Sequence, residues 1–407
     1  MKRRLTAVAA VIWALVLVAV ASSTITMMAT GGVGNASGRA ITDEEQAILD
    51  RYSRLEDVRK TITDQYYEEV DQDTLVQGAI DGMLASLDDP YPFYYTVDDM
   101  AAREESTYGN YKGVGMSVQM DGEGAINVVR VFANSPAEKA GVLSGDKLIA
   151  IDGVTLNIQN YKDLDEAVDM IRGVADTEVT LSFLRNGEPL ELQVTRGDVQ
   201  INYVEYQLID DIGYVRIYEF ESTTAQDFIK ALDYFKEQKV SGVIIDLRDN
   251  PGGLLSSVVT IADQILPKGR IVYTEDRAGD VSSYYSSDEY WDIPLAVLIN
   301  GNSASASEIL AASVQDYERG TLVGTTSFGK GIVQLLVTYP DGAGMQYTES
   351  RYFTPSGRSI HKVGVEPDVT VELDEDYDAS IRGVNVENDN QLETALETLR
   401  KEIESGK

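Results

Sequence analysis

Apolar residues recur at helical spacing near both ends of the chain. The first helix is predicted after the capping-box pattern at residues 42–45, with an apolar face at Ile48, Leu55, Val58 and Ile62. A second helix is predicted over residues 73–87, before a turn at residues 88–90. The last helix, over residues 391–403, has one apolar face formed by Leu392, Ala395, Leu396 and Leu399.

Short strands replace the long helices after Tyr111. Their apolar residues alternate with small or polar ones, as at Val114, Met116 and Val118. Asn186-Gly187 is a strong hairpin signal, because both residue types readily adopt positive φ. The order of elements resembles a PDZ domain: strands at 114–118 and 126–132, a short helix ended by Gly141, a strand at 146–151, a helix at 161–172 and strands at 179–184 and 190–194.

One loop of this region has the composition of a carboxylate-binding loop. Its glycines expose consecutive backbone N–H groups that can hold a terminal carboxylate, and the next strand edge can pair with an incoming peptide. The resemblance therefore implies a peptide-carboxylate site at Gly113, Val114, Gly115 and Met116. The alternative is that the two glycines only mark a β-bulge.

Strands and helices alternate in the remainder of the chain. Strands are predicted over residues 201–209, 213–219, 243–247 and 294–299, and helices over residues 225–238 and 254–266. The run at 243–247 is almost continuously apolar, which is typical of a strand covered by helices on both faces. In open α/β sheets, ligands bind beyond the carboxyl ends of the strands. A site is therefore expected just after the strand at 294–299.

Three serines follow that strand: Ser303, Ser305 and Ser307. The apolar residues after them recur at helical spacing, so the serines lie at the start of a predicted helix. Free backbone N–H groups and the helix dipole could there stabilise an oxyanion beside a nucleophilic serine. Chemistry does not choose among the three, and Ser305 with Glu308 also fits a capping box that has no catalytic role.

A nucleophilic serine needs a base, and the chain has one histidine, His361, and no cysteine. A Ser-His-Asp triad would depend on that imidazole, whereas in a Ser-Lys dyad a desolvated lysine accepts the proton. Lys330 lies between two glycines, which allow other groups to approach it closely. If the strand predicted over residues 332–339 begins early, Gln334 lies on the same face and can hydrogen-bond the amine. Taken singly, such a lysine is usually a solvated surface charge.

Four motifs together resemble the carboxyl-terminal processing peptidases, also called tail-specific proteases. They are Ser-Ala-Ser-Ala-Ser-Glu at 303–308, Phe-Gly-Lys-Gly at 328–331, Asp-Leu-Arg-Asp-Asn-Pro-Gly-Gly at 246–253 and Gly-Val-Glu-Pro-Asp at 364–368. The resemblance implies a serine protease with Ser305 as nucleophile, Lys330 as general base and Gln334 as the residue that orients the lysine. The family's interval of 25 residues between nucleophile and base is kept here, since 330 − 305 = 25.

The resemblance also implies an oxyanion hole made by the backbone N–H of Ala306 and another near Gly252. Pro251 has no N–H to donate, so Gly252 is the expected residue, although its turn alone would be only a tight turn. His361 is then a local hydrogen-bonding group and not a catalyst. Related N-terminal helices help to assemble oligomers in this family, which makes a homodimer one expectation.

Composition limits the other classes of function. The 407 residues include 34 basic and 67 acidic side chains, and the resulting net charge of −33 disfavours nucleic acid as a partner. The absence of cysteine excludes disulfides and thiol catalysis. The acidic tract at residues 372–378 has no metal-ligand spacing, and the chain has no nucleotide-binding glycine fingerprint. No metal or cofactor is therefore expected.

The first residues have the pattern of an export signal. Lys2-Arg3-Arg4 precedes an apolar run at residues 5–20, and Ala-Val-Ala at 19–21 would suit signal peptidase. Weakly apolar residues continue to Ala29, so the run approaches the roughly 20 residues that span a bilayer. An uncleaved anchor is favoured over a cleaved signal, and the basic residues then place the remainder outside the cytoplasm.

These patterns predict a mixed α/β chain with a serine-protease core, an inserted PDZ domain and an N-terminal helical segment behind a signal-anchor helix. The expected function is that of an extracytoplasmic endopeptidase that recognises the C-terminal tail of a protein substrate. Two alternatives are a membrane-anchored peptide-binding scaffold with idle protease machinery and an acyl-transfer enzyme for small molecules. The predicted regions are a signal anchor or signal peptide at 1–30, a flexible linker at 31–40, a helical region at 41–108, a PDZ domain at 109–197, the catalytic core at 198–375 and a C-terminal helical region at 376–407.

Overall fold

The structure is a computed structural model that describes residues 42–107, 110–120, 125–158, 161–374, 377 and 386–406. The predicted signal anchor and linker, residues 1–40, lie outside the described part of the chain. Within the described part, no helix is both long and apolar enough to cross a bilayer. The chain divides between Asp89 and Pro90 into two compact units.

Two helices form the described part of the first unit, α1 (Asp43–Gln65) and α2 (Gln72–Ala85). The capping box expected at the start of α1 is present. Thr42 Oγ1 accepts the Glu45 N–H at 3.2 Å, and the Glu45 carboxylate accepts the Thr42 N–H at 2.8 Å. Neither helix has a buried residue, and the exposed apolar side chains include Tyr52, Leu55, Val58, Val76 and Met83.

The second unit begins with β1 (Phe93–Tyr95) and α3 (Val97–Thr107). The helical region expected over residues 41–108 therefore includes a helix that belongs to a different unit from α1 and α2. After α3, a ribbon marks the entrance to and exit from an inserted region. The ribbon pairs β2 (Asn110–Gly113) antiparallel with β9 (Gly197–Gln200).

The inserted region has the order of elements that resembles a PDZ domain. Its described strands follow the antiparallel order β3-β4-β5-β7-β8, with β6 paired to β5, so β3 lies at an edge of this sheet. Ser135 caps the short helix and Gly141, at φ 90°, ends it, as predicted. The elements are β3 (Met116–Met120), β4 (Ile126–Val131), α4 (Pro136–Ala140), β5 (Lys147–Ile151), β6 (Val154–Thr155), α5 (Tyr161–Ile171), β7 (Glu178–Arg185) and β8 (Glu188–Thr195).

The central sheet contains, among the described residues, β10 (Val204–Ile209), β11 (Ile212–Ile217), β12 (Gly242–Asp246), β15 (Leu295–Ile299), β16 (Thr321–Gly324) and β19 (Val369–Thr370). The strands lie in that order across the sheet, and their ladders are parallel except for the β10–β11 pair. β12 and β15 are buried along their whole length, as expected for strands covered on both faces.

Helices cover both faces of this sheet. α6 (Thr224–Gln238), α7 (Leu255–Asp263) and α8 (Ala306–Asp316) share one apolar core with the sheet. α9 (Asn390–Ser405), which follows a short 3-10 turn at Val386–Asn388, packs on the other face. The apolar face predicted for this last helix is buried at Leu392, Ala395, Leu396 and Leu399. α8 follows β15, so its first residues lie at the carboxyl ends of the parallel strands.

A second sheet carries the part of the site that follows α8. It combines β1 with β13 (Gly269–Asp276), β14 (Val281–Ser286), β17 (Ile332–Thr338) and β18 (Gly344–Phe353). The described order is β1-β18-β13-β14, and β17 also pairs with β18. The sequence predicts only β17 of these strands, since the others have no clear apolar alternation.

Candidate active site

Ser305 lies between β15 and the first residue of α8, where the sequence predicts the nucleophile. Its backbone has φ 56° and ψ −111°, which is uncommon for a residue with a side chain. A conformation of this kind costs on the order of 1–3 kcal/mol. It is characteristic of strained strand-to-helix turns that present a serine hydroxyl. Ser305 itself is half-buried.

The other two serines of the run are fully buried and have structural hydrogen bonds. Ser303 Oγ donates to the Leu247 carbonyl at 2.8 Å, and Ser307 Oγ donates to the Asn250 carbonyl at 2.9 Å. Both hydroxyls therefore fasten the start of α8 to the loop that follows β12. Burial distinguishes Ser305 from its neighbours, which the chemistry of the sequence alone does not.

The loop after β12 approaches Ser305 at Gly252, whose φ is 110°. A Cβ on Gly252 would lie 2.7 Å from Ser305 Cβ and 2.8 Å from the Ala304 carbonyl oxygen, so the position requires glycine. The Gly252 N–H donates to Asn250 Oδ1 at 2.9 Å. This expected oxyanion donor is therefore already engaged, and its use there requires release of that bond. Ala306 is the first residue of α8, so its N–H has no acceptor within the helix.

Lys330 lies in the loop before β17 and is half-buried. Its Nζ donates to Gln334 Oε1 at 3.1 Å, the contact expected from the sequence, and lies 4.6 Å from the centre of the Tyr91 ring. The strand does not begin early: β17 starts at Ile332 and has a β-bulge between Val333 and Gln334. A bulge interrupts the alternation of faces. The lysine and the glutamine therefore meet through the loop and the bulge, and not through regular strand alternation.

Glu308 connects Ser305 to the loop that carries Lys330. Its carboxylate is fully buried and accepts hydrogen bonds on both oxygens. Oε2 accepts the N–H groups of Ser305 and Lys330, each at 2.8 Å. Oε1 accepts the Ser327 hydroxyl at 2.6 Å and the Gly329 N–H at 2.7 Å. One side chain thus holds the backbones of both candidate catalytic residues.

Sequence reasoning missed most of this role. The capping-box pattern indicates the contact between Glu308 and the Ser305 N–H, because the two residues are three apart. The bonds to residues 327–330 join positions that lie 19 to 22 residues away, which no local pattern reveals. Tyr91 was missed for the same reason, since it lies 243 residues from Gln334. Asn250 was missed although it is only two residues from Gly252.

His361 packs against the glycine that follows the lysine. A Cβ on Gly331 would lie 2.6 Å from the His361 backbone nitrogen, and the Gly329 carbonyl accepts the Lys362 N–H at 2.8 Å. The glycines on either side of Lys330 therefore allow a neighbouring segment to lie directly against the lysine loop.

The proposed carboxylate-binding loop joins β2 to β3 in the inserted region. Gly113, Val114, Gly115 and Met116 are all buried. Gly115 has φ 87°, and a Cβ there would lie 2.3 Å from Ser135 Cβ. The carbonyl groups of Val114 and Gly115 accept hydrogen bonds from the segment at 132–137.

A buried charge cluster holds the end of β12. Burial alone would raise the pKa of Asp246, but Arg248 and Arg216 outweigh it and lower that pKa to about 2. The Arg248 guanidinium also donates to both oxygens of Asp389, at 2.9 and 2.7 Å, where Asp389 caps α9. These buried ion pairs therefore hold in place the first residues of the loop that contains Gly252.

Two carboxyl groups flank Phe220, whose N–H donates to the Gly252 carbonyl at 2.8 Å. Burial and the nearby Glu219 raise the pKa of Glu221 to about 7, against a smaller opposing effect of Arg103. Burial also raises the pKa of Glu219. In the described residues, no cluster of three or more acidic or histidine side chains has the arrangement of a metal site.

Three family models match parts of the chain. Peptidase family S41 matches residues 211–371, a PDZ domain matches residues 128–185, and the N-terminal domain of the activating protease CtpB matches residues 17–99. The S41 match contains Gly252, Ser305, Lys330 and Gln334.

Whole-chain comparisons find relatives of the same kind. A carboxy-terminal-processing protease of Bartonella bacilliformis is 39% identical and covers 81% of this chain and 77% of its own length. A carboxyl-terminal-processing protease of Synechocystis sp. is 40% identical and covers 72% and 70%. Among solved structures, the photosystem II D1 C-terminal processing protease is 30% identical, has a TM-score of 0.58 and covers 84% of this chain and 97% of that chain.

Proposed function

The chain belongs to the carboxyl-terminal-processing protease family of serine-type peptidases with a PDZ domain, and from this premise we propose that Ser305 and Lys330 are its catalytic dyad. The observation that carries the proposal is the shared Glu308 carboxylate. It accepts one backbone N–H from each of the two residues, at 2.8 Å. A fixed separation between nucleophile and base is what acyl transfer requires.

The first half-reaction forms an acyl-enzyme. Ser305 Oγ attacks the carbonyl carbon of the scissile bond while the neutral Lys330 amine accepts the hydroxyl proton. The tetrahedral intermediate then collapses, and the lysine returns that proton to the leaving amine. In the second half-reaction, the Lys330 amine accepts a proton from water as the water attacks the ester carbon. The lysine then gives that proton to Ser305 Oγ as the ester C–O bond breaks, which releases the carboxyl product and regenerates the serine. Gln334 holds the lysine in place for both steps.

The oxyanion of each intermediate is held by the backbone N–H groups of Ala306 and Gly252. The Gly252 N–H donates to Asn250 Oδ1 before substrate binds. The stronger acceptor, a negatively charged oxygen, replaces that amide oxygen as charge develops. Asn250 thus supplies a temporary partner for a buried N–H group that would otherwise be unsatisfied.

The PDZ domain recognises the C-terminal tail of the substrate. The tail adds as a strand to β3, which lies at a sheet edge among the described strands, and its carboxylate is held by the loop at Gly113–Met116. The name of the D1 C-terminal processing protease supports a substrate with a free C-terminus. Tail binding also closes the catalytic pocket, so that Lys330 is desolvated only with substrate present. Equal activity of a chain that lacks residues 111–196 would contradict this gating.

The catalytic region acts on the extracytoplasmic face of the cell membrane. The basic residues before the apolar run at 5–20 support this orientation. The N-terminal segment is an uncleaved anchor, or a signal that is removed on secretion. Protein fused after residue 40 should therefore be accessible to external protease in intact cells, and protection of that fusion would contradict the orientation.

α1 and α2 form a homodimer contact. Their apolar side chains are exposed along helices that have no buried residue, although the sequence repeats apolar positions on one face. A second copy of the same helices is a complementary partner, as in a two-fold interface. Sedimentation should give a dimer that Leu55→Lys dissociates, and an unchanged mass would contradict the contact.

Cleavage of matched substrates tests the dyad and the tail requirement together. A protein with an apolar, free C-terminal tail is incubated with the purified chain, and fragments are identified by mass spectrometry. The wild type should cleave it, whereas Ser305→Ala and Lys330→Ala should not, with unchanged thermal unfolding. Amidation of the same tail should lower kcat/KM about tenfold, because a charged hydrogen-bonded group is lost. Cleavage by Ser305→Ala would refute the dyad.

A further inference from the structure

The side-chain amide of Gln334 has one orientation that suits a lysine base. In the structure, its Oε1 accepts from Lys330 Nζ at 3.1 Å and its Nε2 donates to the Tyr91 carbonyl at 3.1 Å. Gln334 Oε1 accepts a hydrogen bond from one N–H of the Lys330 amine. The lone pair of the amine nitrogen therefore stays available for the Ser305 proton. A flipped amide would instead donate to that lone pair and block it.

Gln346 holds the amide in this orientation. Its Nε2 donates to Gln334 Oε1 at 3.0 Å and to the Tyr91 carbonyl at 3.4 Å. The contact follows from strand register: Gln334 on β17 is opposite Thr348 on β18, and Gln346 lies two residues further along the same face. Diagonal neighbours of this kind are within reach of long side chains.

A flip of Gln334 would set like groups against each other in two of its contacts. Its Nε2 would face the Nε2 of Gln346, so that two donors would meet, and its Oε1 would face the Tyr91 carbonyl, so that two acceptors would meet. Like groups at hydrogen-bonding distance repel, so the network allows only one orientation. Without Gln346, there is no repulsion between two amide nitrogens to disfavour the flipped orientation of Gln334.

We propose that Gln346 is a positioning residue of the catalytic base, acting through Gln334; this inference rests on the proposed Ser305–Lys330 dyad. The residue fixes the amide without adding charge. A carboxylate at position 346 would raise the pKa of Lys330 and keep the amine protonated. An ammonium group there would lower that pKa. A neutral donor at position 346 therefore fits a lysine that has to lose its proton.

Aromatic and charged side chains also contact this network. The Tyr95 hydroxyl donates to Gln346 Oε1 at 3.4 Å, and Arg103 Nη1 donates to that hydroxyl at 3.3 Å. The Tyr91 ring faces the amine, and Glu308 accepts the backbone N–H of the lysine from the other side. None of these groups is changed by a substitution at position 346.

The test measures kcat/KM against pH for Gln346→Glu, Gln346→Lys and Gln346→Leu. The acid limb of the profile should move up by about one pH unit with glutamate and down by about one with lysine. The leucine variant should lose roughly three- to tenfold in kcat with little change in KM. This loss corresponds to the free energy of one hydrogen bond. Gln207 is exposed on β10, so Gln207→Glu and Gln207→Lys are matched controls that should leave the profile unchanged.

A double substitution separates positioning from general stability. Gln334→Ala together with Gln346→Leu should lose no more activity than Gln334→Ala alone, because Gln346 acts through Gln334. Unshifted acid limbs, or fully additive losses, overturn the inference while Ser305→Ala remains inactive. An active Ser305→Ala variant would instead overturn the dyad itself, and the inference with it.

Discussion

Glu308 is the residue on which the alignment of the site depends most. Its two oxygens accept four hydrogen bonds, one from the Ser305 N–H and three from the segment at 327–330 that carries Lys330. An amide cannot replace this carboxylate, because its NH₂ group would take the place of one oxygen. That NH₂ group is a donor and would face the two donors that the oxygen now accepts. Charged hydrogen bonds of this type are worth about 1.5–3 kcal/mol each.

We expect Glu308→Gln to lower kcat at least tenfold, since misplacement of nucleophile and base raises the barrier. Steady-state cleavage with a thermal unfolding scan provides the measurement. Glu237→Gln changes an exposed glutamate on α6 and is the control. Wild-type kcat in the Glu308 variant would contradict the alignment role.

Gly252→Ala should abolish cleavage, because its Cβ would lie 2.7 Å from Ser305 Cβ. The substitution also places alanine at φ 110°, which destabilises any site. Gly279→Ala separates the two effects: Gly279 has φ 83° and nothing within 4 Å of its Cβ position. The control should lose stability but keep activity. Equal activity in both variants would exclude close packing of Gly252 on the nucleophile.

Glu221 predicts a pH dependence of stability. Its pKa in the folded chain is raised from 4.5 to about 7, so the folded state binds more protons than the unfolded state between these pH values. The contribution of Glu221 to stability is therefore present below pH 4.5 and is lost as the pH rises through 7. Glu221→Gln should have the melting temperature of wild type at pH 4 and a higher one at pH 8. A difference that does not vary with pH would contradict the shift.

The sequence predicts Ser305, Lys330 and Gln334 as the catalytic residues because motif and spacing specify them together. It assigned the Gly252 N–H to an oxyanion hole without its Asn250 partner, and it left Gln346 unnoticed. The Asn250 bond lies within one turn and depends on the conformation of that turn. The bond between Gln346 and Gln334 depends on strand register and a bulge, and neither is encoded in a local pattern.

At the scale of elements, α9 is joined to the central sheet by a buried ion pair. Asp389 both caps α9 through the Leu392 N–H and binds the Arg248 guanidinium, and both charged groups are almost fully buried. Removal of Asp389 takes away one of the two carboxylates that bind the buried guanidinium, leaves Asp246 as its counter-ion and removes the cap of α9. The loss of charged hydrogen bonds inside a buried network is strongly destabilising.

We expect Asp389→Ala to lower the free energy of unfolding by about 3 kcal/mol. Asp210→Ala removes the exposed partner of Arg400 on the same helix and should cost less than about 1 kcal/mol. Denaturant unfolding of both variants compares them directly. A similar small loss in both would show that the buried pair does not hold the helix.

Most elements follow from apolar periodicity. Helices at 225–238 and 391–403 and the strands of the PDZ-like region lie within a few residues of their predicted bounds, because one face of each is buried. β13, β14 and β18 were not predicted, since they carry mixed polar and apolar residues on a sheet that is only partly covered. Their partners are distant in the sequence, and only the folded chain reveals the pairing.

On the scale of the whole molecule, the proposed substrate recognition and the proposed catalysis use different parts of one chain. The PDZ region is inserted through the β2–β9 ribbon, and the catalytic sheet resumes at β10. The order of these regions was predictable because each has its own spacing of glycines and apolar residues. The contacts that bring Glu308 and Tyr91 to Lys330 were not, since they join three separate segments.

The most direct test of the central claim is to trap the acyl-enzyme. The full chain is mixed with an activated ester of a substrate peptide, quenched with acid, digested and mapped by mass spectrometry. The acyl group should be found on Ser305, should form far more slowly in Lys330→Ala and should be absent from Ser305→Ala. An acyl group on Ser303, Ser307 or any other residue, or cleavage that proceeds without an adduct in the absence of Ser305, would contradict the dyad.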